Sequence, residues 1–445
     1  MKKILTAIIF VFVLMLHPLS INAQSLDIPA DIPYILIDSK TGRVLAGQNT
    51  DQRVGPASTT KVLTAIVALE NGDLQQEMKI SQNAVFDIGK GGMNVGIMAG
   101  EEGLTLDHML HLLLIKSANE TANIIAENLA PSRSEYIDMM NQKAREIGAV
   151  NTTFVNPSGK DTEPADEGHL TTPADMAAIA RYAMTNPKFR EIVSTEYYSG
   201  MPVTNKHDDW GILRNSNQFL WFDNAYPYTL DNTEHKYSVT GIKTGYTAKA
   251  GNNLVTAAVG EDGMEIIAVV MHVMQPNKVY GYSKELMRYG FENYSLQTLS
   301  EAGQNMKTTV VEGAAEGAEL LDLVTQTGLS CAVSIGSKVQ NIETKINVDS
   351  NIIAPIQKGD ILGSVEYLES GVSLGKVNLV AANAVAAKLT APSAANLIQE
   401  ESERKYSYVL LYILLSLSFL VILRMVVRGI CRRVKRKKSM YRFEK

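Results

Sequence analysis

Hydrophobic positions bound the chain at both ends and change period twice between them. The opening "MKKILTAIIFVFVLMLHPLSINA" is two lysines, a long apolar run and a small-residue close at Ala23, the pattern of a secretory signal peptide over residues 1–23. Residues 34–47 then alternate apolar and polar on either side of "SKTG", which predicts a β-hairpin. Apolar residues next recur at helical spacing in "TKVLTAIVALENG", "LTLDHMLHLLLIK", "ETANIIAENLA", "RSEYIDMMNQKAREIG" and "TPADMAAIARYAMTN", each predicting a helix. Strand character returns in "YSVTGIKTGYT", "GNNLVTAAVG" and "MEIIAVVMHV", the last two joined across "EDG". A strand pair, a helical middle and then antiparallel strands predict an α+β domain over 24–295, an antiparallel sheet with helices packed on it, closed by a helix in "SKELMRYGFENY". Short Val, Ile and Thr-rich segments with Gly and Asn turns predict a small all-β domain over 296–385. A linker over 386–405 leads to "YSYVLLYILLSLSFLVIL", uncharged and long enough to be a transmembrane helix, placed at 406–427.

Charge orients this plan. From Arg424 onward ten Lys or Arg face one acid, Glu444, so the positive-inside rule puts the tail, 428–445, in the cytoplasm and residues from about 24 to 405 outside the membrane. Setting aside those ten cations and one acid, and the two lysines of the signal, leaves 30 basic against 46 acidic residues, a body of about minus sixteen. Such a body argues against nucleic acid as a partner and for solubility at an anionic surface. Beside a membrane span the basic tail reads as lipid-facing. Cys331 and Cys431 fall on opposite sides of the expected membrane, so no disulfide framework and no cysteine metal site is expected.

Three short patterns carry chemistry: Ser-x-x-Lys at Ser58 and Lys61, Ser-x-Asn at Ser117 and Asn119, and Lys-Thr-Gly at Lys243, Thr244 and Gly245. Each recurs elsewhere, as at Ser373/Lys376, Ser402/Lys405, Ser20/Asn22 and Ser81/Asn83, so only context discriminates. In "PASTTKVLTAIVALENG" Ser58 is expected to cap a helix N-terminus, with Lys61 a turn on among Val62, Ile66 and Leu69. The helix dipole and burial both disfavour the ammonium there, and a neutral amine is the state that can take a proton from Ser58. A lysine snorkelling to water is the competing account; the helix offers Lys61 no polar face. Ser117 and Asn119 lie at a helix junction, where plain capping would explain them equally well. Lys243 and Thr244 sit on a strand that could bind an extended peptide along its edge and hold a carboxylate. The earlier Lys-Thr-Gly, Lys40 to Gly42, reads as the hairpin turn.

The order and placement of the three motifs, on helix start, helix junction and strand in an exported chain, are the signature of penicillin-recognising serine acyltransferases. Within that group the chain resembles the serine-type D-alanyl-D-alanine carboxypeptidases, the low-molecular-mass penicillin-binding proteins. The likeness extends to "FVNPSG", "LTTPADMAAIARYAM", "GIKTGYTAKAGNNLV" and "PIQKGDILGSVEY". It implies a β-lactamase/transpeptidase-like catalytic domain, a β-rich stalk and a membrane anchor. It further implies that Ser58 forms an acyl-enzyme with the penultimate D-Ala of a peptidoglycan stem peptide ending in D-Ala-D-Ala, and is acylated by β-lactam antibiotics. Lys61 is then the base, Ser117 and Asn119 serve proton transfer and peptide positioning, and Lys243 and Thr244 bind the terminal carboxylate. The N–H groups of Ser58 and Tyr246 form the oxyanion hole. No cofactor and no metal is called for.

Two departures stand out. Many members carry an arginine shortly after the strand pair that follows Lys-Thr-Gly, where "MHVMQPNKVYGYS" has only Lys278, and residues 221–236 are longer than the usual connection. A class A β-lactamase would need a Glu-x-x-Leu-Asn motif between Ser-x-Asn and Lys-Thr-Gly, which is absent. A Ser-His-Asp hydrolase would need a Gly-x-Ser-x-Gly elbow. A metal site on His108 and His111 lacks a placed third ligand. The rival of a different class is a membrane protein that binds wall peptides or β-lactams without turnover.

Overall fold

The computed structural model describes residues 26–88, 92–161, 168–221, 237–337, 342–388 and 394–440. The expected signal peptide, the segment 222–236 and residues 441–445 of the expected tail lie outside them.

The chain opens with β1 (Tyr34–Asp38) and β2 (Val44–Gln48), paired antiparallel as the alternation predicts. Asp38 closes their turn by accepting from Thr41 N and Thr41 Oγ1, and Gly42 takes φ +78°. The first Lys-Thr-Gly is therefore a hairpin turn and nothing more. A 3-10 turn (Ala57–Thr60) leads into α1 (Lys61–Asn71), followed by the short α2 (Gln82–Phe86), α3 (Leu106–Ile115), α4 (Asn119–Leu129), α5 (Arg133–Ile147), α6 (Pro173–Ala183) and α7 (Pro187–Ser194). Their starts follow the sequence: Thr105, Ser132, Thr172 and Asn186 each accept a backbone N–H of the first turn, and α6 and α7 begin with proline. A two-residue pair, β3 (Tyr197–Tyr198) with β4 (Leu213–Arg214), precedes the long strands β5 (Tyr237–Thr247), β6 (Gly251–Gly260) and β7 (Glu265–Val273).

The main sheet runs β2-β1-β7-β6-β5, so β7 returns to pair with β1 and leaves β5 as an open edge. Its two faces are both covered. Ile35 and Ile37 of β1 with Ile267, Val269 and Met271 of β7 face the helical layer, where α1, α3, α4, α5 and α6 bury Ile66, Leu113, Ile125, Met140 and Ile179. The alternate residues Tyr34, Leu36, Ile266, Ala268 and Val270 face Leu286 and Met287 of α8 (Lys278–Asn293). Burial on both faces explains why these strands read as nearly continuous apolar runs.

By contacts the described chain divides into two compact units. The first holds this sheet and its helices together with β8 (Tyr294–Ser300), β11 (Leu329–Ser334) and β12 (Glu343–Val348), and the hairpin of β13 (Ile361–Glu369) with most of β14 (Val372–Ala381). Strands β8 and β11 pair with each other, and β12, β13 and β14 form a meander. Strands β9 (Asn305–Val310) and β10 (Leu320–Thr325) complete the β-rich part, which follows the α+β domain as the composition shift predicts. The second unit comprises residues 308–322, 350–360 and 381–445, and contains the bridges Glu312–Ile353, Ala314–Ala387 and Ile356–Val385. It ends in α9 (Ala394–Met440), of which Ser402–Arg433 is long and apolar enough to cross a membrane.

Leu113 is fully buried at the centre of the helical layer. Leu113→Ala is expected to lower the free energy of unfolding by about 2–5 kcal/mol, read by denaturant titration of tryptophan fluorescence. Val44→Ala, at a site more than half exposed, is expected to stay within about 0.5 kcal/mol of the parent. Equal losses from both changes would mean that the helical layer is not the packed core described.

Candidate active site

Ser58 lies within the 3-10 turn rather than at a helix cap. Ala57 before it has φ +48°, and α1 starts after Thr60 without a side-chain cap. The expected capping role fails because the turn is held from outside. Asn253 Nδ2 donates to Gly55 O and Pro56 O, both at 2.9 Å, while its Oδ1 accepts from His272 N. Thr60 Oγ1 donates to Ala57 O at 2.8 Å and meets His169 Nε2 at 2.9 Å. His169 Nδ1 accepts from Val155 N, so for the neutral ring Nε2 carries the proton and donates to Thr60. Two glycines let backbone close on this turn: a Cβ on Gly159 would stand 1.8 Å from Ala57 O, and one on Gly245 3.1 Å from Ser58 N. A left-handed alanine costs on the order of 1–2 kcal/mol, and these contacts offset it.

Lys61 is fully buried, so the snorkelling account does not hold. Its Nζ lies 2.8 Å from Ser58 Oγ, 2.7 Å from Asn119 Oδ1 and 2.6 Å from Ser158 O. Burial first, then repulsion from Lys243, hold its pKa well below the usual lysine value, against the pull of Glu120. A neutral amine has two N–H groups and one lone pair. The carbonyl oxygens of Ser158 and Asn119 can only accept, so they take the N–H groups and the lone pair faces the Ser58 hydroxyl. That geometry favours proton transfer from Ser58 to Lys61.

Ser117, at φ +61° and buried, and Asn119, at the start of α4, border the cleft beside Ser58. With Ser58, Ser216, Thr244, Gly245 and Tyr246 they line a space of about 730 Å³. Residues 92–94 also line it, and this segment is stapled to α4 by Asn119 N donating to Met93 O at 2.8 Å and, at the next residue, by Val95 N donating to Glu120 Oε1 at 2.6 Å. Glu120 is buried and its Oε2 has no hydrogen-bond partner among the described residues. Burial raises its pKa, opposed by the backbone N–H groups of Val95, Glu120 and Gly96 and by Lys61.

Strand β5 supplies the other border. Lys243 is buried, its Nζ donates to Thr244 O at 3.0 Å, and burial lowers its pKa to about 7. Thr244 Oγ1 donates to Ser216 Oγ at 3.1 Å, while the Tyr246 side chain is mostly exposed. Next to Thr244 a smaller recess of about 180 Å³ is lined by Ser216, Gln218, Asn252, Asn277 and Tyr280, with no cation among its described lining residues. Lys278, the only basic residue in the sequence where many members have arginine, is not part of that lining.

All three motifs therefore meet at one cleft, from positions up to 185 residues apart, the distance in sequence from Ser58 to Lys243. Ser158, Ser216, Glu120, Asn253 and His169 were not legible as site residues, because each acts through contacts with residues distant in the sequence and belongs to no periodic pattern. The other candidates go elsewhere: His108 closes a capping box with Thr105, and His111 Nδ1 meets Asp107 O with its ring stacked on Tyr198.

The structure thus sets a serine and a buried lysine beside the edge strand of an antiparallel sheet that carries a helical layer. The family model described as D-alanyl-D-alanine carboxypeptidase matches residues 20–275, more than half of the chain. The chain belongs to that family of serine-type peptidases. A second model, the C-terminal domain of penicillin-binding protein 5, matches residues 294–387. The chain is 28% identical over 351 residues to D-alanyl-D-alanine carboxypeptidase DacF of Bacillus subtilis, covering 77% of this chain and 82% of that one. It is 31% identical over 242 residues to carboxypeptidase DacB2 of Mycobacterium tuberculosis, covering 54% and 74%. The fold is shared with penicillin binding protein 5 of Haemophilus influenzae at a TM-score of 0.66 and 24% identity, over 81% of this chain and 99% of that one.

Two outcomes test these electrostatics. The Glu120 carboxylate favours the protonated form of Lys61, so Glu120→Gln should move the acidic limb of kcat/KM to lower pH; an unmoved limb would show that the two groups do not communicate. Lys243 is charged in the unfolded chain up to the usual lysine range but loses its proton near pH 7 when folded. Its burial therefore costs stability at and below neutrality, and stability recovers as pH rises toward 10. Lys243→Met should unfold at higher temperature than the parent at pH 7, with the gap narrowing at pH 9.5, and should lose activity. A pH-independent gap would refute the linkage.

Proposed function

We propose that this carboxypeptidase removes the terminal D-Ala from peptidoglycan stem peptides ending in D-Ala-D-Ala through an acyl-enzyme on Ser58. The observation that carries the reading is the buried Lys61 amine 2.8 Å from the Oγ of Ser58, which lines a cleft bordered by an edge strand. Ser58 Oγ attacks the carbonyl of the penultimate D-Ala and its proton passes to Lys61. The N–H groups of Ser58 and Tyr246 take the developing oxyanion. Ser117 relays a proton to the departing D-Ala nitrogen, the C–N bond breaks, and the acyl-enzyme is left. Water then attacks the ester with Lys61 as base and releases the shortened peptide. Asn119, whose Oδ1 is held by Lys61, has its amide N–H groups for the peptide carbonyl. Lys243 and Thr244 bind the terminal carboxylate, and Gly245 allows the strand to lie against the nucleophile. The strained amide of a β-lactam would acylate the same oxygen.

The domain plan supports a tethered enzyme: a signal peptide over 1–23, a catalytic domain over 24–295, a β-rich stalk over 296–385, a linker over 386–405, a membrane helix over 406–427 and a cytoplasmic tail over 428–445. The apolar helix Ser402–Arg433 and the cations that follow it support this single-pass topology with the catalytic domain outside.

The test is D-alanine release by the full chain from a peptide ending in L-Lys-D-Ala-D-Ala, beside Ser58→Ala, with intact mass after benzylpenicillin. Release should fall roughly 10³-fold or more in Ser58→Ala, and only the parent should gain the mass of the antibiotic. An adduct without release would identify a binding protein instead, and neither would remove Ser58 from the mechanism.

A further inference from the structure

One buried side chain outside the three motifs is joined to the nucleophile turn by its whole amide group. Asn253 is 2% exposed; its Nδ2 donates to Gly55 O and Pro56 O, and its Oδ1 accepts from His272 N at 2.8 Å. Only this orientation of the amide satisfies both ends, because the two carbonyls can only accept and the N–H can only donate. The sheet is shaped to deliver it. Between the pairs Asn252–Val273 and Leu254–Val270, Asn253 of β6 stands opposite two residues of β7, Met271 and His272, which makes a β-bulge. His272 has φ +57°, a left-handed conformation that costs a non-glycine residue on the order of 1–2 kcal/mol. In that conformation its N–H meets Asn253, and its Nδ1 lies 3.1 Å from Ala250 O.

The carbonyl of Gly55 stands three residues before Ser58, and in a 3-10 turn it is the acceptor that the Ser58 N–H would take. Asn253 holds it instead. Pro56 O is occupied as well, by Asn253 Nδ2 at 2.9 Å and by Thr59 Oγ1 at 2.7 Å. Among the described residues the Ser58 N–H donates to no acceptor, although Ser58 sits inside a hydrogen-bonded turn. Resting on the acyl-enzyme reading of Ser58, we propose that Asn253 is a positioning residue: by holding the Gly55 and Pro56 carbonyls it keeps the Ser58 N–H out of the turn's own hydrogen bonding and free for the oxyanion. Without Asn253 the Gly55 carbonyl loses its partner, and the Ser58 N–H is the nearest backbone donor along the chain to replace it. The turn then tightens by one 3-10 bond, and one of the two oxyanion donors is lost.

The test is acylation of the full chain by benzylpenicillin, followed by rapid quench and intact mass, with the dissociation constant K separated from the acylation rate constant k2 by varying the antibiotic. Asn253→Ala and Asn253→Asp should each lower k2 about 100-fold, the effect of removing one oxyanion donor. K should stay within about threefold of the parent, and the acidic limb of k2/K should not move, because Lys61 is untouched. A residue that only stabilises the fold would instead lower Tm and weaken K and k2 together. His272→Val and His272→Gly form a second pair that leaves Asn253 in place and decides the matter if the Asn253 variants do not fold. Valine is β-branched and tolerates φ +57° poorly, so k2 should fall; glycine keeps the N–H and accepts that φ, so it should lose less. A parental k2 in Asn253→Ala, an equal fall in K and k2, or a His272→Val no slower than His272→Gly would overturn the proposal. A parent that gains no adduct would overturn the acyl-enzyme reading of Ser58 and the role of Asn253 with it, whereas parental k2 in both Asn253 variants would remove Asn253 alone.

Discussion

The site depends on one physical fact: an ammonium group at Lys61 would be out of contact with water. Removing a charge from water costs several kcal/mol unless the charge is lost, and burial with a second buried lysine nearby gives the proton little reason to stay. The fold thus favours a neutral amine at neutral pH by denying it solvent, with no acid or histidine hydrogen-bonded to Ser58 among the described residues. Lys243 is placed by the same means but for another end. With its pKa lowered to about 7 by burial, its charge would respond to any anion placed beside it.

Stability is spent around this pair. Ala57 and Ser117 both hold left-handed backbone, two lysines are buried, and Glu120 keeps an unpartnered oxygen in the interior. The compensation lies in the rigid frame: Asn253, His169 and Thr60 hold the nucleophile turn from three directions, and Gly159 and Gly245 let two backbones press against it. Local rules are broken where chemistry is done and obeyed elsewhere, as at the capped starts of α3, α5, α6 and α7.

Periodicity made most of this fold legible. The strands of the main sheet and the helices of its helical layer fall where apolar spacing puts them, because both layers bury one consistent face. The three motifs were legible through their order, and a lysine on an apolar helix was a sign of a shifted pKa before any distance was known. What sequence could not convey is contact across long separations. Nothing in "NPSG" says that a carbonyl of Ser158 will accept from Lys61 or that Gly159 must lack a side chain, and nothing near Ser216 says that it will meet Thr244. Ser58 itself was misread as a cap, since capping is a local inference and the turn around it is set by Asn253, nearly two hundred residues away.

The open edge of β5 has a price beyond the site. An unpaired strand is a template for any extended chain, and a second copy of this protein is as able to add to it as a stem peptide is. The edge cannot be closed or covered without closing the cleft. Protection has to come from its surroundings: the 3-10 turn seated against Gly245 shortens the run available to a foreign strand, and the acidic body keeps copies apart. Sequence drift toward neutral charge would therefore threaten solubility through the backbone groups of this one edge.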